Sequence, residues 1–284
     1  PAPAGLKLSV DVIEHVASNI PRWVPLAMSG YHIRESGSSA MQEIAFTFSD
    51  ARAYLDQAIE RGMSVDDVAP TLFTFLSSNM EFMPEVAKFR AARRVWAKLM
   101  RETYGSKDPR SEQLRIFAFT AGSSLTAQQP LNNVVRTSIE ALAAAMGGCQ
   151  TMHVCAFDEA LGVPTEAAAT LALRTQQIVA FETGVTDLVD PLGGSELLER
   201  LTDELEAEVM IEMDKIADLG GALACIESGY FATRLSDSAF ETATAIDTGK
   251  QKVVGVNSFV SDTAEFEVFT IDHASEARQI ESLL

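Results

Sequence analysis

Two rhythms of apolar and polar positions alternate along the first 160 residues. Runs of strand length that are mostly apolar recur at RWVPLAMSG (22–30), TLFTFLSS (71–78), LRIFAFTAG (114–122) and CQTMHVCAF (149–157). Between them lie longer stretches with a helical repeat: LKLSVDVIEHVASNI, with Leu8, Val12 and His15 or Val16 in phase and Pro21 as its stop; about 41–61; MPEVAKFRAARRVWAKLMRETYG, ending at Gly105; and QPLNNVVRTSIEALAAAMGG, ending on two glycines. Strands that are apolar almost throughout are those of a parallel sheet covered on both faces. Four strand-then-helix units in series predict an α/β architecture, either half of an eight-stranded barrel or an open sheet. Half a barrel has two raw edges, so it calls for a partner that closes it.

From about Asp158 the pattern becomes nearly continuous helix. ELLERLTDELEAEVMIEMDKIADLGG alternates charged and apolar residues in helical period and reads as a solvated outer helix. The end, from Lys252, predicts a short apolar strand, an acidic alternating strand and a terminal helix. Residues 1–160 thus carry the β/α units, and 161–284 a last barrel helix and a helical region with a short terminal strand segment.

Composition narrows the possible roles. A hydrophobic content of 47% over 284 residues is ample for a large core. Forty acids against 22 bases give a net charge of −18, which repels phosphate backbones and anionic lipid and disfavours nucleic acid or a membrane surface as partner. Three cysteines without CxxC spacing read as reduced thiols, and no metal-ligand set is visible. The opening PAPAGLKLSV has neither a basic end nor a long apolar run, which points to the cytoplasm; without an initiator methionine, it reads as a processed chain, a fragment or one part of a split protein.

Candidate chemistry gathers at the ends of the strand runs, where parallel α/β folds collect catalytic groups. His32, in AMSGYHIRESGSS, follows the first run, and residues alone leave it either a proton donor or a hydrogen-bonded loop residue. His153 and Glu159 frame the end of the fourth run; Glu159 reads equally as a ligand for sugar hydroxyls or as an acid at a helix start. RAARR (90–94) is a basic cluster able to meet a phosphate, although a solvated helix face is the plainer reading. Glycine-rich phosphate loops and a GxSxG elbow are missing.

SGYHIRESGSSAMQEIAFTF, EVAKFRAARRVWAKLM, SLTAQQPLNNVVRTSIEALAAAMGGCQTMHVCAFDEALGVPTE, ALRTQQIVAFETGVTDLVDPLGGS and VVGVNSF resemble, in order and spacing, the large subunits of adenosylcobalamin-dependent acyl-CoA mutases, the methylmalonyl-CoA mutase family. The resemblance covers nearly the whole chain. It implies the second half of a TIM (β/α)8 barrel followed by a mostly helical C-terminal region, with the first half-barrel supplied by another chain. The Asp-x-His-x-x-Gly motif of the family's cobalamin domain is not in this sequence, so a separate cobalamin domain or small subunit is implied. The activity implied is radical carbon-skeleton rearrangement of an acyl-CoA or carrier-bound acyl thioester. His32 matches the histidine that hydrogen-bonds the thioester carbonyl, with Tyr31 beside it in the substrate pocket. Glu159 matches the acid placed for the adenosyl ribose, and Gln150 and His153 match polar residues of the same strand.

The departures concern the pocket. Where the family usually reads Pro-Arg-Leu-Ser-Phe-Phe this chain has PTLFTF, which replaces an arginine by Thr71 and a serine by Phe73. LRIFAFT puts Phe117 and Phe119 in place of a histidine and a glutamine, and Cys155 replaces an asparagine. Buried polar contacts are worth about 1–3 kcal/mol each when lost. The set therefore implies either a mutase adapted to a less polar or carrier-bound acyl group, or a non-catalytic scaffold that kept the fold. The retained His32 and Glu159 favour the mutase. A hydrolase or lyase on the same barrel is a weaker third reading.

Overall fold

A computed structural model describes residues 2–20, 22–261, 269, 272 and 274–284. The first helix, α1 (Ala2–Asn19), buries Leu6, Val10, Ile13 and Val16. That face is offset from the one expected: Leu8 and Val12 are exposed, because both sets share the helical repeat and only packing against the third helix selects between them.

Strand β1 (Ala27–Ser29) runs directly into the short α2 (Tyr31–Glu35) and then α3 (Ala40–Glu60). A capping box starts α3: Ser39 Oγ accepts from Gln42 N at 3.2 Å while Gln42 Oε1 accepts from Ser39 N at 2.9 Å. After the single-turn α4 (Val65–Val68) come β2 (Phe73–Ser78), α5 (Phe82–Lys98), β3 (Ile116–Thr120), α6 (Asn132–Met146) and β4 (Thr151–His153). The four strands form one parallel sheet in the order β1-β2-β3-β4. Its inner strands have six and five residues, its edge strands three each. This is the β/α succession of half a barrel, as the strand-then-helix rhythm predicts.

The two sheet faces differ. Met28, Thr74, Leu76, Ile116 and Ala118 are buried in the main core with Phe46, Phe48, Phe89 and Trp96 from α3 and α5. The opposite face carries Phe73, Phe75, Phe117 and Phe119, all half-buried. The mostly apolar strands are thus covered on one face by this chain's own helices, and the other face is the inner wall of the half-barrel.

Beyond the sheet come α7 (Glu166–Glu182), α8 (Glu196–Asp218), α9 (Gly221–Glu227), α10 (Tyr230–Asp247) and α11 (Ala274–Leu283). The expectation of a solvated α8 is corrected: Leu198, Val209, Met213 and Ile216 are buried against α3 and α5. The RAARR cluster explains the docking. Arg90 pairs with Glu199 at 2.7 Å and Asp190 at 3.1 Å, Arg94 pairs with Asp203 at 2.7 Å and Glu206 at 2.6 Å, and Lys98 also meets Glu206. The basic run is therefore not a bare solvated face; the acids of α8 cover much of it. The short apolar strand expected from Lys252 is instead a turn-rich segment with one isolated bridge, Val254 to Ser258. The acidic alternating strand falls mostly on residues 262–268, outside the described residues.

Candidate active site

Four strands of a parallel sheet bring their carboxyl ends to one mouth, and the sequence around β1 is shaped to turn there. Gly30 N donates to Phe75 O at 2.8 Å, and a Cβ at Gly30 would lie 2.6 Å from Thr47 Oγ1 and 2.8 Å from Leu76. Only glycine lets the chain pass that close to β2 and α3 and start α2 at once. Tyr31 and His32 are consequently the first residues of a helix sitting on the mouth.

His32 is exposed, and Ser29 Oγ lies 2.6 Å from its Nδ1. With the Ser29 hydroxyl as donor, the neutral ring keeps its proton on Nε2, leaving that N–H free to donate. Edge contacts from Tyr31 at 5.6 Å and Phe75 at 5.8 Å hold the ring laterally.

The rings continue as a wall. Tyr31 stacks on Phe75 at 4.9 Å, Phe75 on Phe117 at 5.1 Å, and Phe119 on His153 at 3.9 Å, with Tyr31 also tilted against Phe119 at 4.7 Å. The pairing register makes this possible, since Phe75 is opposite Phe117 and Phe119 opposite His153. Burial lowers the His153 pKa, favouring the neutral ring, and raises that of the Tyr31 phenol.

Polar groups behind the wall hold α2. The Glu35 carboxylate accepts from Ser123 N at 2.7 Å and Ser123 Oγ at 3.0 Å, and burial raises its pKa. Arg34 reaches Glu85 at 3.6 Å and donates to Ser38 O. Beneath them Lys88, with no exposure, donates to Glu43 Oε2 at 2.8 Å, Ser77 O at 2.7 Å and Glu85 Oε2. Glu43 Oε1 accepts from Ser77 N at 2.7 Å, so one ion group secures both sides of the Ser77 residue at the end of β2. Sequence reasoning passed over Glu35, Glu43, Glu85 and Lys88; the only signal available was a set of charges inside otherwise apolar helical faces.

Glu159 lines a cleft of about 220 Å³ at the end of β4 with His153, Ala156, Pro164 and Gln176. Its side chain meets no hydrogen-bond donor among the described residues, and partial desolvation, then the neighbouring Asp158 charge, raises its pKa. An open carboxylate in a small cleft can accept from paired hydroxyls such as those of a ribose.

The other expected site residues separate. Tyr31, Phe119, His153 and Glu159 share the mouth with His32, and Phe117 lies one step down the inner wall. Phe73 opens β2, toward the amino ends. Thr71 and Gln150 do not join them. Thr71 ends the short 3₁₀ turn before β2, where its Oγ1 donates to Val68 O at 2.7 Å. Gln150 precedes β4, accepts from Ile116 N at 2.6 Å and donates to Gly148 O at 3.2 Å. Placing Gln150 with His153 is corrected on that ground: Gln150 precedes β4 and His153 ends it, so the two sit at opposite ends of the strand. Cys155 is 1% exposed, with its Sγ 3.2 Å from Thr120 O, and burial pushes the thiol up to about 12; it lies under the mouth rather than in the pocket.

Comparison with known proteins adds identity to this geometry. The profile of the family described as methylmalonyl-CoA mutase matches residues 1–284. The 2-hydroxyisobutanoyl-CoA mutase large subunit of Aquincola tertiaricarbonis is 43% identical over 282 residues, 99% of this chain and 50% of that protein. Methylmalonyl-CoA mutase of Cereibacter sphaeroides is 40% identical over 276 residues, 97% of this chain and 39% of the relative. The mitochondrial methylmalonyl-CoA mutase of Homo sapiens is 38% identical over 285 residues, 100% of this chain and 38% of the relative. The chain therefore spans half or less of the length of these relatives.

Proposed function

Because the chain belongs to the methylmalonyl-CoA mutase family, we propose that it forms the second half of the catalytic barrel of an adenosylcobalamin-dependent acyl-thioester mutase. A chain or segment supplying the first half-barrel completes it, and a cobalamin-binding domain or small subunit carries most of the cofactor. The substrate is an acyl-CoA or a carrier-bound acyl thioester. No described helix is long and apolar enough to cross a membrane. We place the protein in the cytoplasm; the Homo sapiens relative is named mitochondrial.

The observation that carries this reading is the pairing of His32 and Glu159 around one mouth, the first oriented by Ser29 and the second unpartnered in its cleft. Glu159 and His153 fit the cofactor's adenosyl end: Glu159 would accept from ribose hydroxyls, and His153, stacked on Phe119, would form the adjacent wall. When bound, the cofactor supplies the radical chemistry of carbon-skeleton rearrangement. This chain's part is to bind and shield. His32 Nε2–H donates to the thioester carbonyl, polarising it as negative charge builds on oxygen during migration. Tyr31, Phe75, Phe117 and Phe119 cover one side of the reacting group and exclude water from it.

The test is turnover of a panel of acyl-CoA thioesters by the complete complex loaded with adenosylcobalamin. Substrate-dependent change in the cobalamin spectrum and product formation, both lost in His32→Ala while assembly persists, are expected. A complex that assembles and never binds the cofactor would instead make the chain a scaffold, and turnover without cobalamin would make it a hydrolase or lyase.

A further inference from the structure

Glu140, on α6, is completely buried, and the carbonyl-carrying side of its own peptide is tied to the sheet: Ser78 Oγ donates to Glu140 O at 2.7 Å. Its carboxyl Oε1 lies 2.6 Å from Ser124 Oγ, while Ser124 Oγ also lies 2.8 Å from Ala121 O. A hydroxyl has a single proton, and a backbone carbonyl can only accept. With the Ser124 proton on Ala121 O, the short contact to Glu140 requires the proton of that bond to belong to Glu140.

The surroundings agree. Glu140 Oε2 is enclosed without a partner, tolerable for an un-ionised acid and costly for a carboxylate. No described cation lies within ion-pair distance of it, although Arg136 feels its charge. Arg136, one turn earlier on α6, is engaged with Thr126, Asn133 and Val254, and Lys88 on α5 with Glu43, Glu85 and Ser77. Burial, reinforced by the like charges of Glu85 on α5 and Glu35 on α2, drives its pKa well above the ordinary carboxyl range and outweighs the opposing effect of the Ser124 contact and the Ala121 backbone. Cys155, just after β4 and bonded to Thr120, has its thiol proton held by burial.

We propose that Glu140 is an un-ionised positioning acid that donates its proton to Ser124 Oγ and so locks the loop between β3 and α6 against α2. The connection is one residue long: Ser123 gives its N–H and its hydroxyl to Glu35, which lies one turn after Tyr31 and His32 on the same helix. Gly122 allows the close approach, since a Cβ there would lie 3.2 Å from Glu35 Oε2 and 3.6 Å from Tyr31 Oη. Glu140 itself does not reach the mouth; it acts through Ser124, Ser123 and Glu35 on the orientation of Tyr31 and His32.

Glu140→Gln and Glu140→Ala in the complete complex separate this role from that of a charged carboxylate, because a carboxamide donates to Ser124 Oγ as the un-ionised acid does. Wild-type protein at neutral pH should show the infrared carbonyl band of an un-ionised carboxylic acid, missing from Glu140→Gln. Amide hydrogen exchange at Ser123 and Ser124 should be unchanged in Glu140→Gln and faster in Glu140→Ala. The activity arm rests on the mutase reading: kcat should stay within about twofold of wild type in Glu140→Gln and fall on the order of tenfold to a hundredfold in Glu140→Ala, with KM changed less. Absence of the band, or a Glu140→Gln variant as damaged as Glu140→Ala, would overturn the proposal. If no variant or wild type turns over, the mutase reading fails, and the infrared and exchange arms still decide the state of Glu140.

Discussion

The two ends of the four-stranded sheet are built differently. At the amino ends, Thr71 and Gln150 give their side chains to neighbouring backbone, and Arg115 donates to the carbonyls of Pro70 and Leu72 at 2.8 and 2.9 Å. These are bonds from a side chain to backbone that finish strands, whether they bridge three residues, as at Thr71, or 34 to 45, as at Gln150 and Arg115. At the carboxyl ends, side chains also hold other side chains, in the contacts of Lys88 with Glu43 and Glu35 with Ser123, 45 and 88 residues apart. Bonds between two side chains fix the relative placement of helices and loops rather than the ending of one strand. A substitution therefore means different things at the two ends: at Thr71 it changes how a strand begins, and at Phe119 it changes what faces the mouth.

The largest break in this comparison should come from Lys88→Met. Removing the central cation of a buried ion group leaves Glu43 without its direct partner and Glu85 with Arg34 alone, and about 3–5 kcal/mol of stability should be lost, read as a lower denaturation midpoint of the full protein. His32→Ala should leave that midpoint nearly unchanged and lower kcat/KM by about 10²–10³, the usual loss for one donor to a developing oxyanion. Phe119→Leu keeps an apolar side chain and removes its ring contacts with Tyr31, Phe75, Phe117 and His153, each worth about 0.5–1.5 kcal/mol, so KM should rise with a smaller change in kcat. Gln150→Ala should cost about 0.5–1.5 kcal/mol per lost bond in stability and leave kcat and cofactor affinity alone. A loss of cofactor affinity in Gln150→Ala would erase the distinction between the two ends.

A smaller effect is expected from pH. His153 has its folded pKa lowered by burial, so the unfolded chain takes up the proton first as pH falls below the ordinary imidazole range. The stabilisation is present above that range and declines as pH falls through it toward the lowered folded value. His153→Gln should remove this part of the acid sensitivity, measured as the difference in midpoint between neutral and mildly acidic buffer.

Much of the half-barrel was legible because strands and helices have different periods. The apolar run 71–78 became Phe73–Ser78, and the helical stretch 41–61 became Ala40–Glu60. Which face a helix buries was less legible: Leu6, Val10, Ile13 and Val16 differ from Leu8 and Val12 only in phase, and the choice is made by packing on α3. At the site, His32 could be placed because a single strand run ends beside it. Gln150 could not, since a short strand separates it from His153 and a linear reading does not say which residue lies at which end. Glu35, Lys88 and Glu140 look in sequence like ordinary helix charges. Their partners come from other elements, so their burial becomes visible only once the chain is folded.

The edge strands β1 and β4 offer ladders of only three residues, against six and five in β2 and β3. So short a template gives a stray extended chain little to pair with, which discourages fibre growth from either side. The same shortness leaves little backbone adhesion for barrel closure. Closure would then depend on side-chain complementarity along the aromatic wall and at the helix flanks, and if the other half arrives on a separate chain, the completed barrel would be a concentration-dependent assembly rather than a property of one polypeptide.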